Sequence, residues 1–338
     1  MAYMFPLRAN DLGLDQRYDT FDHALGPRGM QAEGKDIGAR WHKSDTSWPW
    51  LRDGAKAGGE KYLINWVVYD RPFYAMAAGT VVAGWRMAPD NTPGSYSADY
   101  DPGGKIAGGG NHLWILQDDG VYALYAHARE GSIPLNLGLS NARLLTGSRY
   151  DTGNNPDILP ECEVTAGIRV QAGQKLGHIG NSGATKQGPH LHVHMEKDGH
   201  PVVMNFERGM TTPFPDRSSA KFYGPWTRLK GNALPNANVL VWAPHSVANY
   251  TFKGTTAAEY KGLFDHMSDS GMMPDKIWCE SNGAFYNADW IPAKGSWVSE
   301  HDMSADYFAK RDALLTQDGY KRTSSYTCGS KTVAVWRK

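Results

Sequence analysis

Gly188-Pro189-His190-Leu191-His192-Val193-His194-Met195-Glu196 is the stretch on which the fold turns. Side chains alternate along a strand, so a strand over 190–196 sends His190, His192 and His194 to one face. Two imidazoles at i and i+2 on one surface can share a metal site, one ligating the ion while the other handles a proton or an oxyanion. A solvated, histidine-rich edge strand would show the same alternation, so the surrounding residues have to decide between the two.

Upstream, NHLWILQ (111–117), Asp118-Asp119-Gly120 and VYALYAH (121–127) read as a hairpin, because glycine in the turn tolerates positive φ. A further strand is predicted at 164–170, and YAMAAGTVVAGW (74–85) reads as an apolar strand–Gly–strand unit. Gly173, Gly177, Gly180, Gly183 and Gly188 recur just before Pro189-His190. Long helical periodicity is missing from residues 60–210. The expected class is therefore mostly β: an antiparallel β-sheet domain with long loops at about 20–60 and 86–110.

Taken in order, Glu33-Gly34-Lys35-Asp36, the 74–85 strand pair, Tyr125-Ala126-His127, IRVQAGQKLGHIGNSG (168–183) and Gly188-Pro189-His190-Leu191-His192 resemble the lysostaphin/LytM-type zinc metalloendopeptidases, which cut peptidoglycan peptides. The family's landmarks are an H-x-G-x-D segment, an A-x-x-x-G-x-V strand pair, a Y-x-H, a glycine-punctuated V-x-x-G-Q run and a closing G-P-H-L-H. Four of these five match well, over roughly residues 30–196. The resemblance implies a small, mostly antiparallel β domain with a groove crossed by Zn²⁺. Position by position, it implies Asp36 and His192 as zinc ligands, His190 as general base, and His127 as the histidine that steadies the oxyanion or assists proton transfer. Tyr125 and Trp85 are candidates for substrate contact. The implied substrate is a peptidoglycan cross-bridge or Gly-rich peptide. The implied location is the cell envelope or exterior of a bacterium, although the N-terminal MAYMFPLRAND shows no signal-peptide pattern.

The first segment departs from the pattern. The position of the family's first zinc-ligand histidine holds Ala32, whose methyl group cannot coordinate a metal. A catalytic zinc takes three protein ligands plus water. Three readings stay open. In one, Gln31, Glu33, His23, His42 or His194 supplies the missing ligand, Glu33 being the nearest charged one. In another, the domain is a metal-free pseudoenzyme that keeps its groove for a peptide, a glycan or a partner hydrolase. In the third, the register differs and a histidine elsewhere completes the site.

We divide the chain into a peptidase-like domain (1–212), a Pro/Asn/Ser-rich linker (213–250) and a small α+β C-terminal domain (251–338). Thr256-Ala-Ala-Glu259 has a capping-box pattern, followed by one apolar helical face at Tyr260, Leu263, Phe264 and Met267. Ser304 and Tyr307 start a second such helix, and TVAVW (332–336) a strand. Landmarks offset by 46 to 48 residues suggest a tandem repeat, a binding or targeting module of the kind appended to some bacterial secreted hydrolases. Cys279 and Cys328 fall at equivalent points of the two copies, either bridged or as two buried thiols.

Composition sets the outer limits. Lys plus Arg and Asp plus Glu both number 35, which gives no support for a nucleic-acid partner. No apolar run approaches the roughly 20 residues of a membrane helix. Gly108-Gly109-Gly110 precedes no helix pattern, so no phosphate-binding role is expected there. Trp48, Trp50, Trp66 and Trp85 lie in or beside the long loops, where aromatic rims can grip sugar rings or extended peptides.

Overall fold

The computed structural model describes residues 2–13, 16–22, 29–41, 43, 47–97, 108–143, 162–185, 187–213, 227–229, 231–235, 239–243, 250–269 and 271–338. His23 and His42 lie outside the described residues, as do parts of the 86–110 loop and most of 213–250. The chain divides into two compact units. One comprises Met1–Leu7, Gln16–Phe222 and Leu229–Ala243; the other comprises Arg8–Asp15, Tyr223–Arg228 and Pro244–Lys338.

The first unit is built on antiparallel strands: β1 (Gln16–Asp22), β2 (Lys35–Trp41), β3 (Pro72–Tyr74), β4 (Gly79–Trp85), β5 (Asn111–Gln117), β6 (Tyr122–Ala128), β7 (Glu163–Val170), β8 (Lys175–His178), β9 (Leu191–Lys197), β10 (His200–Val202), β11 (Met210–Pro213) and β12 (Val239–Trp242). The main sheet runs β11-β12-β1-β2-β9-β6-β5-β4-β7, with β10 also paired to β9 and β3 paired separately to β8. The predicted hairpin is β5–β6, its turn closed by the Gly120 N–H donating to the Gln117 carbonyl. Central strands β5, β6 and β9 are buried almost throughout; β5 and β6 are rich in apolar residues, whereas β9 alternates Leu191, Val193 and Met195 with His192, His194 and Glu196. Trp85, Trp114, Tyr18, Tyr125 and Phe73 are among the largest side chains shut from solvent. The stretch read as linker is not irregular throughout: Val239-Leu240-Val241-Trp242 is a β-prone run, and it pairs with both β1 and β11.

The second unit holds two three-stranded antiparallel sheets of the same connectivity. Strand β13 (Tyr250–Thr255), helix α1 (Ala257–Asp269), β14 (Met272–Glu280) and β15 (Phe285–Pro292) make the first, in order β13-β15-β14. Strand β16 (Trp297–Met303), helix α2 (Ala305–Gln317), β17 (Lys321–Cys328) and β18 (Lys331–Arg337) make the second, in order β16-β18-β17. Each helix has 13 residues. Tyr260, Leu263 and Met267 of α1 are buried, as the apolar spacing requires. The Ser304 hydroxyl caps α2 by accepting the Tyr307 N–H. Cys279 of β14 and Cys328 of β17 form a disulfide that joins the two sheets. Among the described residues no helix is long and apolar enough to cross a membrane.

Candidate functional site

Strand β9 sits between β2 and β6, and this placement assembles the site. Leu191, Val193 and Met195 are fully buried on one side of it. His192 and His194 point to the other, where their ring centroids lie 5.1 Å apart. Register pairs Asp36 with His192 on the β2 side and Ala126 with His192 on the β6 side. The small Ala126 leaves the imidazole room. Gly34 does the same from above: a Cβ there would stand 3.1 Å from His192 Cε1 and 3.0 Å from the Gln31 carbonyl oxygen.

Asp36 Oδ1 is 2.8 Å from His192 Nδ1 and 3.6 Å from His190 Nε2. A carboxylate can only accept, so His192 Nδ1 carries the proton. His192 Nε2 is in turn 2.8 Å from His194 Nδ1. A buried line of hydrogen bonds thus runs from Asp36 through His192 to His194, with Trp114 edge-on to the last ring at 5.6 Å.

His127 comes from the end of β6 with φ +66°, a left-handed conformation uncommon for a side-chain-bearing residue. Three bonds hold it there. Its N–H donates to the Gly109 carbonyl, its carbonyl accepts the Gly180 N–H, and its Nδ1–H donates to the Ser182 carbonyl at 2.8 Å. His190 is fixed in the same manner, Nδ1–H donating to the Gly188 carbonyl at 3.1 Å. Its ring centroid is 4.7 Å from that of His127. Burial first, then the neighbouring His190 and His192, hold the His127 imidazole well below its ordinary range, so it stays neutral near pH 7. Neutral, with Nδ1 protonated, it keeps a basic lone pair on Nε2.

The structure therefore brings Asp36, His127, His190 and His192 together. Tyr125 and Trp85, expected to touch substrate, are instead core residues. Tyr125 is fully buried, its hydroxyl accepting the Met76 N–H at 2.7 Å and its ring stacked on Phe73. Trp85 is 1% exposed and donates its indole N–H to the Ala142 carbonyl. Their motif positions fall on β6 and β4, whose side chains fill the sheet interior.

Ala32 is exposed and Glu33 partly so. Among the described residues no group of three His, Cys, Asp or Glu side chains is arranged to hold a metal ion. Asp36 Oδ1 and His192 Nδ1 lie against each other, and no third donor among the described residues completes the set. The described residues thus do not by themselves fit a three-ligand zinc.

Sequence reasoning missed the polar frame that holds residues 181–185. Asn91 Nδ2 donates to the Gly183 and Thr185 carbonyls, and Asn181 Nδ2 donates to the Asn91 carbonyl. Ser182 Oγ accepts the Asn111 N–H and donates to the Ala128 carbonyl. The buried loop side chains Asn91, Asn181 and Ser182 were the available signal, since such groups require partners. His112, wholly buried with Nδ1 bonded to the Gly110 carbonyl, was missed too.

Comparison with known proteins bears on this constellation. Residues 157–204 match the model of peptidase family M23. No curated protein matches by sequence. Among solved structures, the catalytic domain of the antimicrobial peptidase lysostaphin from Staphylococcus simulans is similar at 20% identity and a TM-score of 0.23, over 55% of this chain and 80% of that one. A protein of Ruminococcus gnavus assigned as a glycyl-glycine endopeptidase LytM is similar at 18% identity and a TM-score of 0.28, over 59% of this chain and 55% of that one. A zinc-containing peptidase from Vibrio cholerae is similar at 14% identity and a TM-score of 0.20, over 50% and 48%. The chain thus spans about half the length of the last two. Because the M23 match falls on the segment that carries the glycine run and His190-Leu191-His192, the lysostaphin/LytM-type resemblance of this chain stands.

Proposed function

We propose that the first unit is a peptidase-type domain that takes peptidoglycan cross-bridge or other Gly-rich peptides into the cleft around Asp36, His127, His190 and His192. The observation that supports it is the convergence of a carboxylate and three imidazoles from strands distant in sequence, with Asp36 and His192 at 2.8 Å and the His127 and His190 rings at 4.7 Å. In peptide-bond hydrolysis His127, neutral and anchored through Nδ1, accepts or relays a proton at Nε2. His190, anchored through Nδ1, presents Nε2 to the same space. Asp36 orients His192. Zn²⁺ belongs to this reading only if a residue outside the described set supplies a further ligand.

A second reading is metal-free recognition of the same cell-wall peptides or of a glycan. Ala32 at the first ligand position favours it, together with the incomplete ligand set among the described residues. The two separate on one preparation of the full chain purified without chelator, assayed for zinc by mass spectrometry and for cleavage of a Gly-rich peptide. Stoichiometric zinc lost in Asp36→Ala and in His192→Ala, together with cleavage, supports the peptidase. Parallel His23→Ala and His42→Ala variants identify the third ligand. Background zinc and no cleavage in the unmutated chain leave the recognition reading.

We further propose an envelope or extracellular location. The Cys279–Cys328 disulfide supports it, since such bonds persist in oxidising compartments. The second unit is proposed as a tandem binding or targeting module, supported by two sheets of identical connectivity with helices starting 48 residues apart, at Ala257 and Ala305.

A further inference from the structure

Gly188, two residues before His190, has φ +150° and packs closely against an indole. A Cβ built on it would come within 2.4 Å of the Trp66 ring, so no other residue fits without moving that ring. Trp66 is itself pinned, its indole N–H donating to the Glu60 carbonyl at 2.9 Å and its backbone N–H to the Leu63 carbonyl. Trp50 stacks on Trp66, with centroids 6.0 Å apart and planes 24° apart. Trp66 is nearly buried, but Trp50 is 43% exposed.

Trp50 is held as firmly as a core residue. The Arg40 guanidinium covers its ring at 4.1 Å from the centroid. Asp19 Oδ2 accepts from both Arg40 Nε (2.7 Å) and Trp50 Nε1 (3.3 Å), and Arg40 Nη1 donates to the Trp48 carbonyl. An exposed indole fixed by a salt-bridged arginine, a stacked partner and its own N–H bond is preorganised, and fixing a contact surface beforehand lowers the ordering cost of binding. Tyr62 and Ile64, on the same loop, are exposed as well.

From this arrangement we propose that Trp50, backed by Trp66, is a binding subsite of the cleft: a shelf continuous with the backbone that carries His190. The Trp66–Gly188 contact shows within the molecule what such a shelf accepts: backbone that carries no side chain, since a Cβ at Gly188 would run into the ring. The proposal rests on the peptide reading given above and adds to it the residue that selects the ligand. Trp50 is a specificity residue, remote from proton transfer. Removing it therefore weakens binding without altering the histidines, whereas His190→Ala abolishes cleavage and leaves the shelf in place.

Titration calorimetry of the full chain with pentaglycine tests this. Trp50→Ala is expected to weaken binding about two- to tenfold, the range of one aromatic contact. Trp50→Phe should recover most of that loss and, with an unchanged melting temperature, exclude a folding defect. The same Trp50 dependence should persist in a His190→Ala background. If Trp50→Ala binds as tightly as the unmutated chain, the shelf is wrong while the peptide reading survives. If the substitution affects binding of an N-acetylglucosamine oligomer but not of pentaglycine, the peptide assignment of the shelf is overturned. If the unmutated chain binds no pentaglycine, the peptide reading falls and takes the shelf with it.

Discussion

Asp36 on β2 and His192 on β9 are direct partners across two antiparallel strands, Oδ1 to Nδ1 at 2.8 Å, although 156 residues separate them in sequence. Both are buried, so the bond is charge-assisted and shielded from water. Asp36→Ala leaves the His192 N–H without this acceptor and should destabilise the first unit by about 1–3 kcal/mol. Asp36→Asn keeps an acceptor and should lose less. Urea denaturation of both variants checks the order; equal losses would mean that the bond contributes nothing beyond packing.

Much of this site was legible in the sequence, for one geometric reason: strand alternation forces His190, His192 and His194 to one face whatever the rest of the chain does. Asp36 was legible through the motif-like spacing of Glu33-Gly34-Lys35-Asp36, and the structure supplies the reason for Gly34: a Cβ there would crowd His192. His127 was marked by the Tyr125-Ala126-His127 segment, but its left-handed conformation was not legible, since it is imposed by carbonyls and N–H groups of residues 109, 180 and 182, which carry no side-chain signature. Nor was the loop frame, which depends on bonds such as Asn91 to Gly183, 92 residues apart. Tyr125 was misplaced because a motif position says nothing about which sheet face it occupies. Strand β12 was hidden by the Pro- and Asn-rich residues before it, although Val239-Leu240-Val241-Trp242 is strand-forming by itself.

Tyr125→Phe separates a core role from a substrate role. The hydroxyl is the acceptor for the buried Met76 N–H, so its removal should cost about 1–3 kcal/mol in stability. KM for a Gly-rich peptide should not change. A raised KM at unchanged stability would return Tyr125 to the binding surface.

The Cys279–Cys328 bridge closes a loop of 49 residues between two sheets. Chain entropy alone assigns such a closure about 4 kcal/mol. Reductant, or paired Cys→Ser substitution, should therefore lower the melting transition of the second unit while leaving that of the first unmoved. A melt insensitive to reductant would show that the two sheets hold together without the bond.

One pH response expected of the first unit comes from His112. The side chain has no exposure, Nδ1–H donates to the Gly110 carbonyl at 2.7 Å, and Nε2 finds no partner among the described residues. Charging it would place an imidazolium in an apolar interior, and burial accordingly pushes its pKa down to about 4, against 6.5 for an unhindered histidine. Between those values the unfolded chain binds a proton that the folded chain refuses. Stability is thus complete above about pH 6.5, declines as pH falls, and has lost this contribution below about pH 4, a difference of about 3 kcal/mol. Urea midpoints from pH 7 to pH 4 should show the decline, and His112→Phe, which cannot protonate, should flatten it even if it is less stable at pH 7. An unaltered slope in His112→Phe would assign the acid sensitivity to other groups and show that His112 accepts its proton without unfolding.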